Sequence, residues 1–235
     1  LALADPAAIV SILNPTGGLL GGDRLEIDVT VGARAHACLT TPSATKVYRT
    51  GGVPAGQRAT VRVGCDGILE WIPDHTIPFA GAAVRQSLEV ELAAGARAVV
   101  VDAWAAGRVA RGEAWRFALV DSALAVRDAA GPLVLDRFVL QAGGGAGLGL
   151  AEGFSYFFTM VVAGGGDLAG FAEEARDVVA GREGLAAGVG QAARRARVTR
   201  GLARSAPVML EAIDALWGCA RRRVLGVPAL ALRKP

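Results

Sequence analysis

A strand–turn–strand pattern occurs twice in the first hundred residues, and it restricts the chain to architectures that stack like units. Leu25-Glu26-Ile27-Asp28-Val29, followed by Gly32-Ala33-Arg34-Ala35, returns 63 residues later as Leu88-Glu89-Val90-Glu91-Leu92, followed by Gly95-Ala96-Arg97-Ala98. Within the first copy Leu25, Ile27, Val29 and Val31 point one way and Glu26, Asp28 and Thr30 the other. That period of two marks a half-buried strand. A unit of this kind cannot bury its apolar face alone, so a second copy implies layered or coiled β-sheets. Two copies are too few to define a regular solenoid.

Further strands follow from the same alternation. Ala35, Ala37 and Leu39 share a face, and Thr60 to Val63 and Ile68 to Ile72 read as strands joined near Asp66-Gly67, a dipeptide that favours hairpin turns. Ser87 to Leu92 and Ala98 to Asp102 form another pair, and Phe117 to Val126 and Leu133 to Gln141 flank a turn at Asp128 to Pro132. A glycine run over 143–149 divides the chain as a flexible loop. Beyond it, Asp167 caps a helix with an apolar stripe from Leu168 to Val179, stopped by Gly181. A second helix starts near Ser205, with Pro207 in its first turn, and ends at Gly226 and Pro228. Arg197 to Ala203 supplies one more strand between them. The expectation is a mainly β, layered or coiled single domain over residues 1–235, with two helices in the C-terminal half.

Composition narrows the function. Hydrophobic residues make up 52% of the 235 and charged residues 20%, which gives the chain a core to bury and no case for disorder. The net charge of +3 is modest, and only Lys46 and Lys234 among the basic residues are lysines. Arginine clusters at 194–200 and 221–223 lack interleaved aromatics, so nucleic acid is not an expected partner. Cys38, Cys65 and Cys219 are odd in number and far apart, as in a reducing compartment. The longest nearly unbroken apolar stretch, Phe154 to Ala163, is too short to span a bilayer. A cytoplasmic protein without a membrane partner is expected.

Catalytic motifs are absent: two histidines, His36 and His75, accompany no G-x-S-x-G, H-E-x-x-H or paired-carboxylate pattern. The glycine run fits neither G-x-G-x-x-G nor a P-loop. Asp23, Glu70 and Asp102 stand as lone carboxylates. His36 and Cys38 lie two apart on a strand and so share a face, where imidazole and thiolate suit a borderline metal ion. Two ligands make at most a transient site, and a buried cysteine beside a hydrogen-bonded histidine is the simpler account. Thr40 to Arg49 is dense in hydroxyls and lines either a channel or its own strand edge.

These residues carry a resemblance. Pro15-Thr16-Gly17-Gly18 with Gly22-Asp23, then Leu39-Thr40-Thr41-Pro42 and Ala44-Thr45-Lys46-Val47-Tyr48-Arg49, resemble the hallmark of the urease accessory protein family UreD, also called UreH. Leu69 to Pro73, Ile77 to Ala82, and Gly107-Arg108 with Gly112-Glu113 resemble later segments of the same family, as does Leu216 to Arg233 at the end. The region before the glycine motif is short, which fits a truncated start or an early boundary. Thr16 stands where the family often has glycine, and Gly181 to Arg195 is atypical.

The resemblance implies a non-catalytic scaffold or metallochaperone that works with UreF, the GTPase UreG and the urease apoprotein. It implies no tightly bound cofactor, with nickel only in transit along an internal route. Under it, Asp23, Thr40, Thr41, Thr45, Lys46, Tyr48, Arg49 and Glu70 become candidates for that conduit or for partner contact, with His36 and Cys38 as weak metal candidates. Gly17, Gly18 and Gly22 would serve backbone shape. The competing readings are a β-layered binding protein unrelated to urease, and an enzyme whose pocket has no local signature.

Overall fold

The computed structural model describes residues 5–143 and 151–232. The glycine-rich loop expected over 143–149 therefore falls outside the described residues, apart from Gly143.

The chain opens with β1 (Ala8–Ser11) and β2 (Gly18–Leu19) and then makes three similar circuits. The first joins β3 (Arg24–Val31) to β4 (His36–Thr40) and the short β5 (Thr45–Val47). The second joins β6 (Ala55–Val63) to β7 (Ile68–Ile72) and β8 (Thr76–Pro78), and the third joins β9 (Ala83–Leu92) to β10 (Arg97–Ala105). A hairpin of β11 (Leu119–Asp128) and β12 (Gly131–Gln141) follows. Then come β13 (Tyr156–Ala163), α1 (Leu168–Val179), β14 (Leu185–Gln191), β15 (Ala196–Ala203) and α2 (Ala206–Ala220), which runs on as a π-helical turn over Arg221–Leu225.

The first strands of the circuits form a five-stranded sheet in the order β12-β11-β9-β6-β3. The second strands enter a ten-stranded sheet with the main path β1-β4-β7-β10-β13-β15-β14, beside which β2, β5 and β8 form a short side ladder. Neighbouring circuits pair in parallel in both sheets. The mainly β, layered and coiled architecture with two late helices is thus what the chain adopts.

The turn at Asp66-Gly67 is not a hairpin. Asp66 does take a positive φ of 57°, but β6 and β7 lie in different sheets. Here the chain rounds a corner: Gly64 N–H donates to Val31 and Ile68 N–H to Ala35, both on the preceding circuit. Backbone partners one circuit back leave no role for the adjacent strand, and the same correction applies to β9 and β10. Register sharpens the repeat as well. Leu25 pairs with Gln57 and Gln57 with Gln86, so the first and third circuits are offset by 61 residues where the sequence echo suggests 63. A two-residue slip keeps every side chain on its own face, which is why the echo still gave the correct alternation.

Two apolar layers result. Between the sheets, Val61, Val90 and Val126 face Leu69 and Val100. On the other side of the large sheet, Val99, Met160 and Val162 meet Phe171, Met209 and Trp217 from the helices. β13 lies between β10 and β15 and is covered on both faces, which accounts for the continuous apolar run at its position. Asp167 accepts from Gly170 N–H and Ser205 from Val208 N–H, capping the two helices. No helix among the described residues is long and apolar enough to cross a membrane.

Candidate functional site

Strand parity brings polar groups into the space between the sheets. On β10, Ala98, Val100, Asp102 and Trp104 all face the small sheet, and Asp102 meets Gln86 of β9 and Ser122 of β11, which are register partners. An acid at an inward position of an apolar strand is the one signal in the sequence that could have singled it out.

Three neutral donors hold the Asp102 carboxylate. Gln86 Nε2 donates to Oδ1 at 3.0 Å, Trp104 Nε1 to Oδ1 at 2.8 Å and Ser122 Oγ to Oδ2 at 2.9 Å. Among the described residues no cation pairs with it. Burial pushes its pKa above the ordinary aspartate value against the pull of these three bonds, and the charge of Asp136 adds to the rise.

Two cavities meet at this carboxylate. One, about 250 Å³, lies between the sheets and is lined by Thr41, Thr45, Gln57, Thr76 and Gln86 as well as Asp102. The other, about 600 Å³ and more open, is walled by Trp115, Phe138 and Phe157 and by the ion pair of Arg200 with Asp136 at 2.8 Å. Asp102 is enclosed by protein, and the surface it keeps faces these cavities. Thr41 Oγ1 also accepts from Asp74 N–H at 2.9 Å, which fixes part of the wall.

Glu70 stands on the opposite face of the large sheet. It is fully buried and accepts from Trp217 Nε1 at 2.5 Å and from Arg221 Nη1 at 2.9 Å, while His36 Nε2 lies 2.6 Å from Oε1. Arg221, itself 0% exposed, also reaches Asp5 at 2.5 Å and donates to the Pro228 carbonyl at 2.7 Å. The three consecutive arginines at 221–223 therefore do not share one role. The π-turn directs Arg221 into the core, while Arg222 and Arg223 bind Glu174.

The remaining candidates scatter. Thr41 and Thr45 line the inner cavity. Thr40 bonds the Ile72 carbonyl at 2.7 Å, Asp23 accepts from Leu20 N–H at 2.8 Å, and Lys46 and Arg49 are exposed. Tyr48 packs edge-on against Phe79 at 5.2 Å, and Arg108 stacks on the same ring at 4.2 Å while gripping Glu113. Several motif segments thus converge on one aromatic cluster. A Cβ on Gly18 would sit 2.6 Å from the Lys46 carbonyl, whereas Gly17 and Gly22 hold φ values of 73° and 85°. His36 and Cys38 both face the helices, and Cys38 is fully buried. No three of His, Cys, Asp and Glu gather as a metal site among the described residues.

Comparison with known proteins gives one consistent answer. The family model described as UreD urease accessory protein matches residues 2–235. A urease accessory protein UreD of Deinococcus radiodurans is 36% identical over 96% of this chain and 81% of its own length. One from Alkalilimnicola ehrlichii is 32% identical over 92% of the chain and 74% of its own length. One from Delftia acidovorans reaches 51% identity, over 44% of the chain and 34% of its own length. The match likewise spans 44% of the length of the relative from Dechloromonas aromatica.

Proposed function

Because the chain belongs to the UreD family of urease accessory proteins, we propose that it is a non-catalytic scaffold of urease maturation that passes nickel through its own interior. In this reading it acts in the cytoplasm with UreF, UreG and the urease apoprotein. The nickel ion is cargo and not a resident cofactor.

The observation that carries the reading is Asp102, a carboxylate that no cation pairs with among the described residues, at the junction of two cavities. An enclosed charge held only by neutral dipoles has lost hydration without gaining a counter-charge. A divalent cation arriving there would supply one. The hydroxyls of Thr41, Thr45 and Thr76 and the amides of Gln57 and Gln86 offer further oxygen contacts along the wall. One carboxylate with weak neutral oxygens lets an ion enter and leave, whereas a closed set of thiolates and imidazoles would retain it.

Asp102→Asn keeps the shape and removes the charge. In cells carrying the urease cluster, we expect urease made with this variant to hold about tenfold less nickel, with the accessory complex still assembled; a tenfold change is about 1.4 kcal/mol in a binding step. Fully loaded urease with Asp102→Asn would sink the interior route. Loaded urease after deletion of the whole gene would sink the accessory role itself.

A further inference from the structure

The outer face of the small sheet carries a feature that a cargo route does not use. Arg24, Gly56 and Arg85 are register partners across β3, β6 and β9, and the next outward row runs Glu26, Arg58, Ser87, Ala123 and Arg137 across β3, β6, β9, β11 and β12. Gly56, Ser87 and Ala123 have little or no side chain, so they form the floor of a shallow recess of about 670 Å³. Arg24, Arg58, Arg85 and Arg137 rim it, against only Glu26 and Asp121, for a net charge of +2.

These arginines differ from the others on the same face. Lower down, Arg127 is shared between Glu89 and Glu91, and Arg62 reaches Glu91, so that charge is internally compensated. Around the recess, among the described residues, only Arg137 has a close partner, Asp121 at 3.2 Å. Arg58 touches Glu89 at 3.9 Å with 64% of its side chain exposed. Arg24 and Arg85 are exposed and, among the described residues, pair with no carboxylate.

We infer that this recess docks an acidic polypeptide segment presenting at least two carboxylates. Arg24 and Arg85 stand two strands apart, about 9.5 Å between backbones. Their long side chains can converge on carboxylates two residues apart in an extended segment, at about 6.7 Å. The bare backbone at Gly56 admits the partner's main chain between them. Guanidinium forks bind carboxylates bidentately, which rewards this arrangement over diffuse attraction. Charge complementarity selects an acidic partner, and the absence of aromatic side chains from the rim gives nucleic-acid bases nothing to stack on.

The test uses a fluorescein-labelled deca-glutamate peptide, the whole chain, and anisotropy at about 20 mM and about 300 mM salt, on either side of strong screening. Arg24→Gln/Arg85→Gln should weaken binding about fivefold to tenfold at low salt, while Arg176→Gln/Arg182→Gln, which removes equal charge from the end of α1 and the turn after it, should change it less than about twofold. Equal losses in both double variants would show a general charge effect and overturn the site, as would an unbound wild type. A ten-nucleotide oligothymidine that binds more tightly and is lost with the same variant would replace the acidic segment with nucleic acid. Arg24, Arg85 and Arg176 are exposed and Arg182 is half-buried in a turn, so unchanged melting temperatures are expected and separate binding from folding.

Discussion

Two acids on neighbouring strands of one sheet meet opposite fates. Glu70 of β7 faces the helices and is clasped by Arg221, Trp217 and His36. Asp102 of β10 faces the small sheet and is held by an amide, an indole and a hydroxyl. The first is neutralised by its own protein and sealed. The second is kept in shape by neutral dipoles, with no counter-ion beside it among the described residues. A buried charge that is fully paired holds a structure together, and one that is only hydrogen-bonded is poised for something from outside.

The most forceful way to probe the contrast is Arg221→Met, which strands Glu70 and Asp5 in the core. It should cost about 3–5 kcal/mol in urea unfolding, the usual penalty for removing one partner of a buried pair. Adding Glu70→Gln should restore part of that loss, and a pair of strictly additive losses would mean that the two side chains do not act as a unit. Next, the two isosteric neutralisations should diverge. Glu70→Gln is expected to destabilise by about 2–3 kcal/mol, because charged hydrogen bonds are lost, while Asp102→Asn should be within about 1 kcal/mol of wild type or more stable. Equal costs would erase the distinction.

Acidity separates them further. Asp102 has its folded pKa raised above 3.8, so the native state binds its proton more tightly than the unfolded chain. Its contribution to stability is therefore greatest below 3.8 and declines as pH rises through the raised value. Melting temperatures of wild type minus Asp102→Asn should fall with increasing pH in that window, and a flat difference would show that the carboxyl is not desolvated. The smallest effect belongs to Glu174, held down to about 2 by Arg223, Arg222 and Cys219. Here the sign reverses: the stabilisation is complete above 4.5 and is lost as pH falls toward 2. Glu174→Gln should remove about 1 kcal/mol or less of acid-sensitive stability, as for other surface pairs.

What could be read in advance follows from the range of each interaction. Alternation placed β3, β9 and the β11–β12 hairpin, and Asp167 with Gly181 bounded α1, because those signals lie within a few residues. The choice between hairpin and parallel coil at Asp66-Gly67 depends on carbonyls a whole circuit away, which no local dipeptide reports. β14 went unread because Leu185–Gln191 mixes small residues and glycine, with little contrast between its faces. The pairing of Glu70 with Arg221 spans 151 residues and carries no spacing motif. Asp102 was noticed as a lone acid, but Gln86 and Ser122 become its partners only once three strands in two sheets are in register. Of the polar segment Thr40 to Arg49, only the residues that the fold turns inward reach the cavity.

That separation of Glu70 from Arg221 also has a consequence in time. A ribosome adding about 5–20 residues per second needs about 8–30 s to travel the 151 positions between them. Throughout that interval the first circuits can stack on one another, yet the glutamate at their centre has His36 but not the Arg221 guanidinium, and the large sheet has no helical cover. The nascent chain must pass through a stage with an open apolar wall and a carboxylate still lacking its guanidinium partner. Its yield in the cell should then depend on how quickly translation reaches the second helix, so slowing codons placed after β10 ought to lower recovery more than the same codons placed after α2.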